Sequence, residues 1–218
     1  MIEGSKRLTT QTTPPPPPPI YDAFAPHYER ALRPLERLIL ARLRAATLRA
    51  LGDGRDEGGQ IRLLEIGAGT GLNFPHYPPG AYGAATEPSR EMLRLAQRKS
   101  RPAGVRLVQN SAEALPFADD TFDAAFATLV FCSVASPSRA FAELRRVVRA
   151  GGRVVLLEHV RPDGLLGPVF DALSCLTVRL CKDHFNRRTA QEARRAGLRI
   201  VSIQPHALGI IQLITCEV

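Results

Sequence analysis

Three glycines at alternate positions follow a short apolar run in LLEIGAGTGLNF, residues 63–74. Glycine at positions 67, 69 and 71 allows positive φ angles and lets a ligand approach the main chain closely. The dinucleotide-binding pattern GxGxxG would need its third glycine at position 72, where this chain has Leu72. The shifted spacing argues against a cradle for a pyrophosphate and favours a ligand without phosphate.

The residues around this turn indicate which ligand it binds. We expect a helix behind the turn, whose N-terminus would offer unpaired N–H groups and partial positive charge to a carboxylate. S-adenosylmethionine fits, because it has an amino-acid carboxylate and an adenosine but no phosphate. Glu87, 22 residues after Glu65, ends the next predicted strand and is expected to accept hydrogen bonds from both ribose hydroxyls. NAD-binding folds share this carboxylate, so it indicates a nucleoside without choosing between the two.

Apolar strand-like runs alternate with amphipathic helices after residue 60. Strands are predicted at residues 62–66, 82–86, 105–109, 122–128 and 153–158, and helices at 89–99 and 137–149. This alternation predicts a parallel sheet with helices on both faces, whose strands end along one ligand-binding edge. The segments 198–208 and 209–218 are separated only by a turn, which predicts an antiparallel hairpin. The expected fold is α/β: a Rossmann-like, doubly wound sheet of seven strands.

The composition limits the partners of the chain. Its 218 residues suffice for one domain with short extensions, and its net charge of +8 comes mainly from arginine. The arginines are scattered and form no basic block, so we expect no nucleic-acid partner. The four cysteines lack the paired spacing of zinc sites, so no metal is expected. The sequence shows neither a signal peptide nor an apolar run of about 20 residues, so a cytoplasmic location is expected.

The N-terminal third divides into a tail and a helical cover. Residues 1–20 include six consecutive prolines, which predict a disordered polyproline tail that could bind a proline-recognition domain. Residues 21–60 are predicted to form a helical cover and a linker, and residues 61–218 the ligand-binding domain, with a cap insertion at 161–188. Within residues 29–51, a helical pattern places apolar residues on one stripe and arginines on another. Such a helix could touch an anionic membrane surface weakly or pack on the domain with its charged stripe in water. The predicted apolar stripe comprises Leu32, Leu35, Ile39, Leu43 and Ala46, and the charged stripe Arg30, Arg33, Arg37 and Arg44.

Residues 20–218 resemble the class I S-adenosylmethionine-dependent methyltransferases, in particular the group similar to the enzymes of ubiquinone and menaquinone biosynthesis. The matching segments are YDAFAPHYE, LLEIGAGTG, the acidic Glu87, AEALPFADDTFDAAFA and RVVRAGGRVVLLE. Within the class, GTGLNFPHYPPG, TLVFCSV and LLEHV are most similar to a small family whose animal members methylate alkyl thiols and associate with lipid membranes. Those members begin with a hydrophobic anchor, where this chain has its proline tail.

The resemblance implies a cofactor site for S-adenosylmethionine on the ends of the strands. Ser111 stands where the class often has aspartate, so contact with the adenine is expected to depend more on the backbone of Ala112. The expected cofactor-binding residues are Tyr21, Glu65, Gly67, Ala68, Gly69, Gly71, Asn73, Glu87, Pro88, Ser111, Ala112, Glu113, Thr128 and Leu129.

A substrate pocket is expected beside the cofactor. Tyr28, Phe131, Cys132 and His184 are expected to line it, with Asp183 and His184 coming from the cap insertion. His159 follows the fifth predicted strand, where substrate groups should lie, and is the candidate general base; a purely structural histidine is the other interpretation.

The resemblance implies direct attack of a nucleophile on the sulfonium methyl group. The expected acceptor is a small, hydrophobic molecule with a thiol or another heteroatom. One alternative is methylation of a phospholipid amine or a quinone precursor at a membrane surface. Another is a non-catalytic module that binds S-adenosylmethionine. An NAD-dependent oxidoreductase is disfavoured by Leu72.

Overall fold

The computed structural model describes residues 19–52, 59–160 and 187–218. Most of the proline tail, the residues 161–186 of the cap insertion, and with them Asp183 and His184, lie outside the described residues. Within the described ranges, no helix is both long enough and apolar enough to cross a membrane.

A seven-stranded sheet forms the centre of the fold, with the strand order β3-β2-β1-β4-β5-β7-β6. The strands are β1 (Ile61–Ile66), β2 (Ala81–Glu87), β3 (Val105–Gln109), β4 (Phe122–Thr128), β5 (Val148–His159), β6 (Arg199–His206) and β7 (Ile211–Glu217). Strands β1 to β5 are parallel, whereas β7 lies antiparallel between β5 and β6. The predicted mostly parallel sheet with a C-terminal hairpin is confirmed.

Helices cover this sheet, and both faces of its central strands are buried. They are α1 (Pro19–Leu35), α2 (Ala41–Ala50), α3 (Arg90–Ala96), α4 (Pro137–Val147) and α5 (Thr189–Arg195). Leu64 of β1 packs in an apolar cluster with Phe141 of α4, and its neighbour Leu63 packs in a second cluster with Leu43 of α2. Alternate residues of one strand thus enter opposite cores, which explains why the strand is continuously apolar.

Strand β5 begins five residues earlier than predicted. The sequence predicted a helix over residues 137–149, but α4 ends at Val147 and the chain passes directly into β5 at Val148. The amide of Gly151 donates to the carbonyl of Val218, so the early residues of β5 are held by the C-terminus of the chain. This pairing lies between residues distant in sequence, and local patterning does not reveal it.

The N-terminal helical segment differs most from the prediction. Helix α1 begins at Pro19, inside the predicted tail, since proline is tolerated in a first helical turn. A wide π turn, Glu36–Leu40, then joins α1 to α2. In the predicted apolar stripe Leu43 is buried but Leu35 is exposed, and in the predicted charged stripe Arg44 is only 3% exposed. A single stripe through residues 29–51 was therefore wrong, because the π turn rotates α2 relative to α1.

The predicted helix behind the glycine turn is also wrong. Only a short 3-10 helix, Phe74–His76, follows Gly71. Its second residue is Pro75, and Pro78 and Pro79 come soon after. Prolines have no N–H to donate, so a regular helix cannot continue through this stretch. The positive end of an α-helix is consequently absent at this turn, and a carboxylate bound there must be neutralised by other groups.

Candidate functional site

The site lies where the strand order reverses, between β1 and β4, at the carboxyl ends of both strands. Ligands of open α/β sheets bind in this crevice. A small cavity of about 230 Å³, measured with its open mouth, occupies it. The cavity is lined by Tyr28, Arg44, Gly67, Ala68, Gly69, Thr70, Leu72 and Thr128.

The three glycines of the turn have different roles. All have positive φ angles: +66° at Gly67, +54° at Gly69 and +82° at Gly71. A Cβ atom on Gly67 would come within 2.5 Å of Val130, and one on Gly71 would overlap the ring of Phe74. A Cβ on Gly69 would meet nothing within 4 Å. Gly67 and Gly71 are therefore required for packing, while Gly69 presents bare backbone to the cavity.

Glu87 ties this turn to the neighbouring strand. Its Oε2 accepts a hydrogen bond from the backbone N–H of Gly69 at 2.9 Å, and its Oε1 accepts one from Ser89 at 2.9 Å. Pro88 lies between Glu87 and Ser89 in the chain. Burial raises the pKa of Glu87 to about 7, although both backbone hydrogen bonds favour the ionised form. A buried carboxylate with this pKa beside the glycine turn is typical of a ligand-binding position.

Glu65 and Asn73 lie beneath the turn rather than on its surface. The amide nitrogen of Asn73 donates to Glu65 at 2.5 Å and to Thr128 Oγ1 at 2.9 Å, and the hydroxyl of Tyr77 donates to Glu65. Glu65 is fully buried, and this burial raises its pKa. The described contacts of Glu65 and Asn73 hold the turn together. Their predicted contact with a cofactor remains a prediction.

Sequence reasoning missed Arg44, which it placed on a solvent-facing stripe. Its Nε donates to Glu36 at 2.9 Å, and its Nη1 donates to Asn73 Oδ1 at 3.0 Å and to Thr128 Oγ1 at 2.8 Å. One signal could have revealed it: Arg44 lies four residues after Leu40 and four before Leu48, on one face of the helix. Both leucines are buried, so the arginine between them is buried as well.

Helix α1 covers the site and is tied to it at three points. The hydroxyl of Tyr21 donates to Ser133, and Asp22 accepts a hydrogen bond from Ser89 Oγ at 2.5 Å. Further along α1, Glu29 forms an ion pair with Lys99 at 2.6 Å. Tyr28 lines the cavity from this helix, and burial raises its pKa to about 12. At neutral pH its hydroxyl is therefore a hydrogen-bond donor and not a base.

The loop after β3 is held by its own side chains. Glu113 accepts hydrogen bonds from the backbone N–H groups of Ala135 at 3.0 Å and Ser136 at 3.1 Å, and from the hydroxyl of Ser111. Ala112 is buried in the apolar cluster of α4. The side chains of this loop thus have internal partners, and the predicted contact of the loop with adenine depends on its backbone.

The residues after β4 that were predicted to belong to the site lie in different environments in the structure. Thr128 lines the cavity, and Leu129 adopts a positive φ of 58° that turns the chain. Phe131, predicted for the pocket wall, is completely buried and stacks on Phe141 with ring centroids 4.3 Å apart. It belongs to the core beneath the site. Cys132 is also buried, with its sulfur 3.4 Å from Ser133 Oγ.

His159 occupies the end of β5, as predicted, but it does not line the cavity. It pairs in register with Ile211 of β7 and is partly buried. The neighbouring Glu158 accepts hydrogen bonds from the backbone N–H groups of Val130 and Phe131, which fixes the loop after β4. Within the described ranges, no group of three or more His, Cys, Asp or Glu residues is arranged to hold a metal ion.

These features fit a nucleoside with an amino-acid tail and without phosphate. The backbone at Gly69 is open, a buried carboxylate stands at the end of β2, and a positive charge borders the cavity. S-adenosylmethionine has groups of this chemistry: hydroxyls on its ribose and a carboxylate on its amino-acid portion.

Comparison with known proteins agrees with this fit. A family model for a methyltransferase domain matches residues 64–156. A thiol S-methyltransferase of Homo sapiens is 30% identical over 171 residues, covering 69% of this chain and 70% of the relative. A phosphatidylethanolamine N-methyltransferase of Cereibacter sphaeroides is 38% identical over 118 residues, covering 52% of this chain and 58% of the relative.

A solved structure shares the whole architecture. An S-adenosylmethionine-dependent methyltransferase of Thermotoga maritima superposes with a TM-score of 0.69 at 23% identity, covering 91% of this chain and 98% of that one. At this identity the likeness shows the fold, while the relative from Homo sapiens, matched over more than two thirds of its length, shows the family. The chain belongs to the class I S-adenosylmethionine-dependent methyltransferases, and S-adenosylmethionine is its cofactor.

Proposed function

We propose that this methyltransferase transfers the methyl group to the thiol of a small, hydrophobic acceptor. One observation carries the proposal. Of the described residues that line the cavity, the titratable ones are Tyr28 and Arg44. The phenol of Tyr28, with its pKa raised to about 12, is protonated at neutral pH, and an arginine side chain stays protonated in proteins. The described wall, which the amino-acid portion of the cofactor and the acceptor would share, thus offers donors and positive charge but no titratable group that could act as a base.

A thiol is the acceptor that such a wall suits best. A free thiol has a pKa of about 8.5, so a useful fraction is ionised near neutral pH without help. A phenol or an amine loses its proton much less readily and generally needs a positioned base. Alignment of the thiolate with the sulfonium methyl group can then lower the barrier by about 7–11 kcal/mol. The similarity to a thiol S-methyltransferase supports the same acceptor.

The hydrophobic character of the acceptor rests on two features. Leu72, which replaces the glycine of the dinucleotide pattern, lines the cavity. The sequence LLGPVFDALSCLTVRL, residues 165–180, is apolar with few charges and belongs to the predicted cap. In this proposal Cys132 contributes to the pocket and is not a nucleophile, since direct transfer needs no covalent intermediate.

We assign the cofactor contacts as part of the same proposal. Glu87 binds the ribose hydroxyls, Gly69 gives backbone access to the amino-acid portion, and the backbone of Ser111 and Ala112 binds the adenine. Tyr21 and Tyr28 close over the cofactor from α1. The support comes from the exposure of Gly69 to the cavity and from the position of Glu87 at the end of β2.

The pH dependence of kcat/KM tests the choice of acceptor. With an acidic aryl thiol and a less acidic alkyl thiol, we expect two profiles, each with its inflection at the pKa of that thiol. The His159→Gln variant should give the same two profiles, since the proposed reaction uses no base from the protein. A common inflection for both thiols that disappears in His159→Gln would refute the proposal and make His159 the general base.

A second candidate is methylation of a phospholipid amine or a quinone precursor at a membrane surface. The outer side of the N-terminal segment exposes Phe24, Leu35 and Leu38, the last to 76%, near exposed arginines at positions 30, 33 and 37. Apolar and basic side chains together are typical of helices that lie on anionic membranes. The similarity to a phosphatidylethanolamine N-methyltransferase also favours this candidate.

Co-sedimentation with vesicles distinguishes this candidate from the first. The membrane hypothesis expects binding to phosphatidylglycerol vesicles, weaker binding to phosphatidylcholine, and loss of binding in the Leu35→Ser/Leu38→Ser double variant. No sedimentation with anionic vesicles would remove its main support.

A further inference from the structure

Arg44 has hydrogen-bond donors that its described contacts do not use. A guanidinium has five N–H donors. In Arg44 three of them are used: Nε donates to Glu36, and Nη1 donates to Asn73 and Thr128. Its remaining nitrogen, Nη2, has no hydrogen-bond partner among the residues that the structure describes. The side chain is only 3% exposed, yet it lines the cavity.

The helical geometry indicates that this placement depends on the π turn. In an uninterrupted α-helix, Tyr28 and Arg44 would point about 160° apart, since each residue advances the helix by about 100°. The wide turn at Glu36–Leu40 advances less per residue and so reduces this angle, and both side chains line the same cavity. π turns inside helices occur frequently at functional sites.

The geometry points to Arg44 as the residue that binds the carboxylate of the cofactor's amino-acid portion, through Nη2. Two observations favour a carboxylate as the partner. The guanidinium is almost entirely buried and borders the cavity, so an acceptor bound there would satisfy its remaining donors. The glycine turn that forms the floor of the same cavity is followed by a 3-10 helix of three residues, so the positive end of a helix is missing there. Arg44, which is ion-paired with Glu36 only through Nε, supplies positively charged donors instead.

Glu36 and Asn73 act as positioning residues in this arrangement. Glu36 holds Nε and Asn73 holds Nη1, so the fork of the guanidinium is fixed from both sides. Because Thr128 Oγ1 accepts hydrogen bonds from both Arg44 and Asn73, its own hydroxyl hydrogen remains available to the same carboxylate. A preorganised fork loses little entropy on binding, which suits a site that must select an amino-acid ligand.

Isothermal calorimetry with two ligands tests this assignment. S-adenosylmethionine and its decarboxylated form differ only in the carboxylate, and no acceptor is needed. We expect the wild-type protein to bind S-adenosylmethionine about 10- to 100-fold more tightly, as charge-assisted hydrogen bonds of ordinary strength predict. In Arg44→Met this ratio should fall close to one, mainly through weaker binding of S-adenosylmethionine. Arg44→Lys keeps the positive charge but lacks the planar guanidinium, so it should retain part of the preference for S-adenosylmethionine over the decarboxylated form.

Two further variants keep the test decisive. Arg42→Met changes an exposed arginine of the same helix and should leave the ratio unchanged. If Arg44→Met unfolds because Glu36 is left without its partner, the double variant Glu36→Gln/Arg44→Met removes the unpaired charge and is measured instead. An undiminished ratio in a folded Arg44 variant overturns the inference. Equal weakening of both ligands also overturns it, because that result would mean a purely structural role.

The inference rests on the cofactor and not on the proposed acceptor. If thiols prove not to be methylated while the ligand ratio behaves as expected, the acceptor proposal fails and the assignment of Arg44 stands. If the wild-type protein binds both ligands equally, the assignment fails whichever acceptor is methylated.

Discussion

The buried carboxylate at the end of β2 makes a quantitative prediction about the free energy of unfolding. Burial raises the pKa of Glu87 from about 4.5 to about 7 in the folded protein. Between these values the folded state holds a proton that the unfolded state has lost. Stability therefore falls as the pH rises through this window. A difference of about 2.5 pH units corresponds to about 3 kcal/mol.

Glu87→Gln isolates this contribution, because glutamine resembles the protonated carboxyl group and does not titrate. Because the NH2 group of glutamine cannot accept the backbone hydrogen bond that one carboxylate oxygen receives from Gly69 or Ser89, we expect a stability offset between wild type and variant that does not depend on pH. On top of this offset, the variant should gain relative stability as the pH rises from 5 towards 8. The difference between the two unfolding free energies should change by about 2–3 kcal/mol over that range.

Urea unfolding of the cofactor-free protein at half-unit steps of pH measures this difference, and subtracting the two curves cancels the other titrating groups. Glu91→Gln, which changes a partly exposed carboxylate four residues further along the chain, is the control and should give no such trend. A difference between Glu87→Gln and wild type that stays constant from pH 5 to 8 would refute the reasoning, because Glu87 would then titrate alike in both states.

Three other substitutions test the division of roles within the site. Gly69→Val should abolish binding of S-adenosylhomocysteine in calorimetry, because the side chain enters the cavity; Gly151→Val, at another open glycine with positive φ, should keep binding normal. Glu87→Ala should weaken the same ligand, and unchanged affinity would show that the carboxylate does not bind the ribose. Phe131→Ala should cost about 3–5 kcal/mol of stability by leaving a cavity against Phe141, whereas a small loss in urea unfolding would contradict its burial.

Much of the architecture could be predicted because it depends on local sequence patterns. The strands after residue 60 are continuous apolar runs between turn residues, and Ser89 caps α3 by accepting from the N–H of Met92. Such signals depend on neighbouring residues alone. The position of Glu87 could likewise be read from its place at the end of a strand.

The rest depends on contacts that local patterns do not contain. The orientation of Arg44 follows from a π turn, and a 3.6-residue periodicity drawn through residues 29–51 assumes that no such turn exists. The missing helix after Gly71 was signalled by Pro75, Pro78 and Pro79, but the helix was expected from the glycine turn alone. Phe131 was expected in the pocket because it follows β4, and its stacking on α4 is a tertiary contact.

Methyl transfer from labelled S-adenosylmethionine tests the central claim most directly. The wild-type protein is offered thiols, amines, phenols, quinol precursors and phospholipids, and each labelled product is identified by mass spectrometry, with Gly69→Val as the inactive control. We expect label in hydrophobic thiols, as thioethers, at rates well above those for the other acceptors. Label in phospholipids or quinol precursors but not in thiols, or tight cofactor binding without transfer to any acceptor, would contradict it.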